Sequence, residues 1–133
     1  MAIILVPHPN TFRDSLCSSQ GTGATTLAGC LGALRASGQD VNSLGSQRIL
    51  IAGAGSAGIG VAQVLKQAMV EQGCDAEKAK GCFFIADEHG LLTEDRDDLN
   101  EEQKAFARKE GKGMSLEDIA AEVRSDEERR KRA

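Results

Sequence analysis

The chain has 133 residues, a formal net charge of −4 and four cysteines. This length allows one domain at most, and the negative charge offers no basis for binding a nucleic-acid backbone. No apolar run reaches the roughly 18 residues that a membrane span needs, so we expect no membrane partner either. The cysteines form no C-x-x-C pair and no cluster with histidine, which favours reduced thiols in an intracellular protein over a zinc site.

The first segment, residues 1–19, contains one short apolar run. Ala2 to Val6 is apolar and is stopped by Pro7 and Pro9. It is interpreted either as a short strand or as a disordered tail. We find no functional motif in this segment.

A helix is predicted from Thr22 to Ala36, where apolar residues recur at helical spacing. Thr22 is suited to cap its start, and Gly38 stands just past its end. Gly29 and Gly32 would let another helix approach closely, at some cost in helix propensity.

The most informative stretch is a predicted strand, a glycine-rich turn and a helix. The apolar run Ile49 to Ala52 is followed at once by Gly53, Gly55 and Gly58, and a helix-compatible run begins at Ala57. The glycines have the G-x-G-x-x-G spacing of a dinucleotide-binding turn, in the context of strand and helix that this motif requires.

Each glycine of the turn has a separate expected role. Gly53 would turn the chain sharply out of the strand, Gly55 would leave room for a pyrophosphate, and Gly58 would let the helix pack closely on the strand. The N–H groups of the first helical turn would face the phosphates. We therefore predict that the cofactor contacts this whole turn: Gly53, Ala54, Gly55, Ser56, Ala57 and Gly58. The alternative is a turn that serves only the packing of strand and helix.

The second half of the fingerprint is an acid at the end of the next strand, where it accepts hydrogen bonds from a ribose. Cys82 to Ala86 suits a buried parallel strand, and Asp87 follows it. Asp87 lies 29 positions after Gly58, more than the usual spacing of about 20, because an extra helical turn is predicted at 75–78. Capping of an ordinary strand-end turn is the other interpretation of Asp87.

Three stretches resemble consecutive stretches of the malic enzymes: Gln20 to Gln39, Gln47 to Leu65 and Phe83 to Ala107. Malic enzymes oxidise and decarboxylate malate to pyruvate, using NAD or NADP and a divalent metal, Mg or Mn. The resemblance implies the opening part of their cofactor-binding domain, a place for Thr22 near the cofactor, and an intracellular protein, cytoplasmic or mitochondrial.

The predicted architecture is an α/β, partial Rossmann-type fold. It has a leading helix, one β–α–β unit of a doubly wound parallel sheet, and C-terminal helices. Residues 20–123 would form a truncated NAD(P)-binding domain, after the unmatched segment 1–19. The last helix would run from Ser115 to Val123, before a frayed, charged tail at 124–133. Two strands would leave both sheet edges open, so self-association or pairing with a full-length relative is a candidate partnership.

The resemblance also implies that the metal site is absent. In malic enzymes an acidic segment with a metal-binding aspartate directly precedes the match to Gln20–Thr22. Here Leu16 to Ser19 carry no carboxylate, and Asp14 is several residues too early. The other metal-binding acids and the catalytic lysine and tyrosine belong to stretches that this sequence lacks. We therefore expect an NAD-binding module without catalytic residues of its own. The alternative is a non-catalytic interaction or regulatory fragment.

NAD is expected in preference to NADP. Asp87 would accept from the 2′-hydroxyl of the adenine ribose and repel a 2′-phosphate, and Glu88 adds a second negative charge. The following acidic stretch, Thr93 to Glu102, is predicted to be a solvated loop. Arg96 and Lys104 are the nearest cations that could fold back towards a phosphate.

Overall fold

The computed structural model describes the backbone of residues 2–5 and 18–132 and the side chains of residues 22–129, 131 and 132. Within these residues four strands form one sheet: β1 (Ala2–Leu5), β2 (Arg48–Ala52), β3 (Phe83–Asp87) and β4 (Gly90–Leu91). The helices are α1 (Ser18–Ala36), α2 (Ser56–Glu71), α3 (Ala76–Gly81), α4 (Glu101–Lys104) and α5 (Leu116–Arg132), and a 3₁₀ helix, Val41–Ser46, precedes β2.

The sheet is mixed, with strand order β1-β2-β3-β4. β2 is parallel to both β1 and β3, whereas β4 is antiparallel to β3. The β2–β3 pair is parallel because α2 and α3 carry the chain back to the starting edge of the sheet. The predicted α/β fold of partial Rossmann type is confirmed.

The strand interpretation of the first residues is confirmed for Ala2–Leu5. β1 pairs with β2 on the side away from β3, with Ala2 opposite Arg48 and Leu5 opposite Ile51. The prediction of only two strands is therefore wrong, and β2 is a central strand. The error arose because a run of five apolar residues carries no periodicity that identifies a strand.

Helices cover both faces of the sheet. Ile49 and Ile51 of β2 belong to a core that includes Leu34 of α1 and Leu65 of α2. Leu50, which points to the opposite face, belongs to a second cluster with Phe84, Ile119 and Val123. Because both faces are buried, β2 and β3 appear in the sequence as unbroken apolar runs.

Two predictions about α1 are wrong. The helix begins at Ser18, so Thr22 lies inside it instead of capping its start. The first turn has no apolar repeat, and helical spacing therefore could not reveal it. Gly29 and Gly32 face open space, whereas Gly23 makes the close contact: a Cβ there would lie 2.6 Å from Val64 Cγ2 of α2.

The charged residues from Arg124 to Arg132 continue α5, so the prediction of a frayed tail is wrong. An ion pair between Arg48 and Asp126 (2.6 Å) ties this part of the helix to the start of β2. A second pair joins Lys131 to Glu127 one turn away at 3.2 Å. Ion pairs hold this part of the helix where the apolar stripe has ended.

Candidate cofactor site

The carboxyl ends of β2 and β3 lie side by side, because Ala52 and Ala86 are partners in the parallel register. A cavity of about 230 Å³ opens at this edge, and it is lined by Ala52, Gly53, Ala86, Asp87, Glu88 and Leu116. The two halves of the sequence fingerprint, Gly53 and Asp87, therefore line one cavity. This is the edge at which open α/β sheets bind ligands.

Two glycines of the turn are required by the fold itself. Gly53 has a φ of +128°, which side-chain-bearing residues rarely adopt, and its N–H donates to Ala86 O at 2.8 Å. A Cβ on Gly58 would collide with the carbonyl oxygen of Gly53. These two residues allow α2 to start directly against the end of β2.

Gly55 differs from the other two glycines. Its φ is −76°, and a Cβ placed on it would meet nothing within 4 Å. The packing of the protein therefore does not demand glycine here. The missing Cβ leaves open space beside the backbone at the point where α2 begins.

The start of α2 is suited to an anion. Gly55 is its N-cap and makes no side-chain capping bond, and Ser56 and Ala57 form the first turn. The N–H groups at a helix start lack partners within the helix, and the helix dipole makes this end positive. Because no side chain caps them, these donors are available to a ligand.

Gln103, which is not part of the glycine fingerprint, supports the turn. Its Nε2 donates to Ala54 O at 3.0 Å. Its Oε1 accepts from the N–H of Asn100, and its own N–H donates to Asn100 Oδ1. Asn100 and Gln103 thus form the capping box of α4. The N-x-x-Q pattern is a detectable signal of this cap, although the acidic composition of the stretch from Thr93 to Glu102 favours a solvated loop.

Asp87 is engaged by two donors. Arg96 folds back on it, with Nη1–Oδ1 at 3.0 Å and Nη2–Oδ2 at 2.7 Å. The backbone N–H of His89 also donates to Oδ1 at 2.9 Å, so Asp87 caps the turn that follows β3, and its ribose role remains a prediction. Arg96 makes two further bonds to the carboxylate of Asp98, at 2.9 and 2.6 Å.

These contacts determine the charge at the end of β3. Partial burial raises the pKa of Asp87, but hydrogen bonds from Arg96 and His89 outweigh it and hold the pKa below its usual range. The carboxylates of Asp98 and Asp87 raise the pKa of Arg96. Asp87, Arg96 and Asp98 together carry a net charge of −1 at neutral pH, and Glu88, 85% exposed, lies directly beside them.

Of the predicted site residues, Gly53 and Asp87 line this cavity, whereas Ala54 to Gly58 of the turn, Thr22 and Lys104 are not among its lining residues. Thr22 is exposed in α1 and is not among the residues that line the cavity. Lys104 pairs with Glu101 of its own helix at 3.0 Å. The cations considered for a phosphate are thus both held by carboxylates.

Neither a metal cluster nor a membrane helix occurs in the described part of the chain. No group of three or more His, Cys, Asp or Glu side chains there could hold a metal ion. No helix among the same residues has the length and apolar character to cross a bilayer. Asp14 and most of the segment expected to lack metal ligands lie outside the described residues, so the expectation about the metal remains a prediction.

Comparisons with known proteins agree with the geometry. Residues 19–126 match the family described as malic enzyme, NAD binding domain. The malolactic enzyme of Lactiplantibacillus plantarum is 39% identical over 82% of this chain and 19% of its own length. NAD-dependent malic enzyme 3 of Bacillus subtilis is 43% identical over 74% of this chain and 16% of its own length. The mitochondrial NAD-dependent malic enzyme of Solanum tuberosum is 34% identical over 92% of this chain and 22% of its own length.

The chain thus spans about a fifth of the length of these relatives. The family match covers most of the described residues, including the glycine turn, Asp87 and Gln103. The protein belongs to the malic enzyme family, and its matched residues are an NAD-binding domain of that family.

Proposed function

We propose that this chain binds NAD(H) at the carboxyl ends of β2 and β3, as the cofactor-binding module of a malic enzyme-type oxidoreductase. The observation that carries the proposal is the open space beside Gly55 at the uncapped start of α2. A pyrophosphate fits there, because it would find free N–H donors and no Cβ in its path. We assign this module to residues 20–123, with β1 as an additional strand.

The six residues from Gly53 to Gly58 would bind the pyrophosphate mainly through their backbone. Asp87 would hold the adenine ribose. An ionised carboxylate has about four acceptor positions, and Arg96 and His89 use three of them, two on Oδ1 and one on Oδ2. One position on Oδ2 is left for a ribose hydroxyl. Thr22 enters the proposal on family resemblance alone.

We infer a preference for NAD over NADP. Arg96 does not provide a free positive charge for a 2′-phosphate, since it is bound to Asp87 and Asp98. Asp87, Arg96 and Asp98 together carry a net negative charge, and Glu88 adds a further negative charge. A 2′-phosphate would therefore meet repulsion at the end of β3.

The activity of the complete enzyme is a separate proposal. Bound NAD supplies the acceptor for a hydride from malate, and decarboxylation in the complete family enzyme uses a divalent metal. We propose that this chain alone does not turn over malate. Manganese-dependent NADH production above a blank without protein would contradict this. Location inside the cell, in the cytoplasm or a mitochondrion, is part of the same proposal.

The test of cofactor binding is a titration with NADH, followed by nicotinamide fluorescence. We expect a saturable signal and a rise in melting temperature with NADH concentration. The matched control is Gly55→Val, which should remain folded and lose the signal. If the parent chain shows no saturable binding, the alternative of a non-catalytic interaction fragment is favoured.

Self-association is the testable form of that alternative. β1 is an edge strand of the described sheet, and an edge strand offers backbone groups to a second chain. Light scattering over a range of concentrations would detect a dimer. A constant monomer mass would argue against pairing of this chain with itself.

A further inference from the structure

Leu116 is exposed at the rim of the cofactor cavity. Its exposed fraction is 42%, and Val70 is the other large apolar residue that is exposed among the described side chains, at 43%. Val70 lies on α2 and is not among the residues that line this cavity, whereas Leu116 is. The two residues have similar exposure but different surroundings.

The start of α5 fixes the position of Leu116. Ser115 Oγ accepts from the N–H of Asp118, and the Ser115 N–H donates to Asp118 Oδ2. Ile119 and Val123 anchor the helix, with exposed fractions of 0% and 3%. Leu116 continues their apolar stripe by one turn, past the end of the sheet. It meets the cavity there instead of the core.

The chemistry around Leu116 suits a flat heteroaromatic ring. Ala52 and Ala86 provide small apolar contacts, and Asp87 provides the acceptor for a ribose hydroxyl at the same cavity. The base of a nucleotide is bonded directly to its ribose, so a ribose on Asp87 brings the base within reach of Leu116. A ring seated here would cover an apolar side chain that is otherwise in water.

We propose that Leu116 is the apolar contact for the adenine ring of the bound dinucleotide. The proposal rests on the proposed cofactor site and adds a residue that the glycine fingerprint and Asp87 do not include.

The experiment compares Leu116→Ser with Val70→Ser, because each replaces a similarly exposed apolar residue on a helix. NADH and AMP are titrated against both variants and the parent, and thermal melts check folding. We expect Leu116→Ser to lower the affinity for NADH and the affinity for AMP by the same factor, about tenfold. We expect Val70→Ser to bind both with parental affinity.

The outcomes separate this inference from the cofactor site itself. Parental affinity in folded Leu116→Ser, with NADH binding in the parent, overturns the inference and leaves the site intact. A loss for NADH without a loss for AMP overturns the adenine assignment. If the parent binds neither NADH nor AMP, the proposed function and this inference both fail.

A second variant gives a direct signal that does not require Leu116→Ser to fold. The chain has no tryptophan, so L116W introduces a single fluorophore at the cavity, and V70W introduces one away from it. AMP should quench the emission of L116W, through stacking of the base, and leave that of V70W unchanged. Binding of AMP without quenching in L116W would refute the contact.

Discussion

Arg96 and Asp87 form a two-bond ion pair at the end of β3, with N–O distances of 3.0 and 2.7 Å. The acid that would select the ribose is therefore one member of a charged group and does not act alone. Asp98 shares the same guanidinium at 2.6 Å. Cofactor choice should depend on the net charge of this group and on the adjacent Glu88.

We expect Asp87→Ser to shift the preference towards NADPH by roughly tenfold to a hundredfold. The variant removes one negative charge and leaves Asp98 as the remaining carboxylate partner of Arg96. Glu88→Ser should produce a smaller shift, because Glu88 does not hold Arg96. The measurement is a pair of titrations, NADH and NADPH, at one ionic strength. If the variant that combines Asp87→Ser with Glu88→Ser keeps the parental ratio of NADH affinity to NADPH affinity, these acids do not set the preference.

The acid stability of the chain should depend on Asp87. Its pKa is lower in the folded protein than in the unfolded chain, so the unfolded chain binds more protons as the pH falls. The stabilisation is fully present above the unfolded pKa, about 3.9, and is lost as the pH falls through the lower, folded pKa. The free energy of unfolding should fall less steeply below about pH 5 in Asp87→Asn than in the parent.

A neighbouring acid provides the control for this pH experiment. Asp97 has no ion pair among the described residues, and Asp97→Asn is the matched substitution that leaves the pair of Asp87 with Arg96 in place. Urea unfolding at a series of pH values measures all three proteins. Equal slopes for the parent and Asp87→Asn would contradict the role given to the ion pair.

Substitutions at two glycines of the turn should separate an effect on NADH binding from an effect on stability. Gly55→Val should abolish NADH binding and lower stability by about 1 kcal/mol or less, since its side chain would enter open space and only the N-cap preference for glycine is lost. Gly58→Val should lower stability by about 2 kcal/mol or more, because its side chain would collide with Gly53 O. Calorimetry and NADH titration test the pair. Unchanged NADH affinity in folded Gly55→Val would mean that the turn is only structural.

Gln103→Glu isolates the bond from α4 to the glycine turn. The variant keeps an acceptor for the Asn100 N–H but loses the donor to Ala54 O, at a cost of about 1 kcal/mol. We expect NADH affinity to fall as well, because the turn loses its support. Asn100→Ala is the control: it should cost about 1 kcal/mol through the lost cap and leave NADH affinity unchanged. If both variants keep parental affinity, Gln103 has a structural role only.

Much of the site was predictable from local pattern. β2 and β3 begin and end, and α2 begins, within one residue of their predicted positions, because continuous apolar runs and glycines mark them. The contacts of Arg96 and Gln103 were not predictable. Arg96 reaches Asp87 across nine positions and Gln103 reaches Ala54 across 49, through loops with no periodicity. The position of β1 also depends on its distant partner, since its own residues show no strand pattern.

The four described strands lie in the sheet in the order in which they occur in the chain. The usual doubly wound order differs, since there the first strand lies between the second and the fourth. In this protein β1 is synthesised before its partner, and β2 meets a neighbour as soon as it is made. β3 and β4 then add in turn to the strand that precedes each of them. The strands after β1 can therefore pair during translation, which proceeds at about 5–20 residues per second, because each of them follows its partner in the chain.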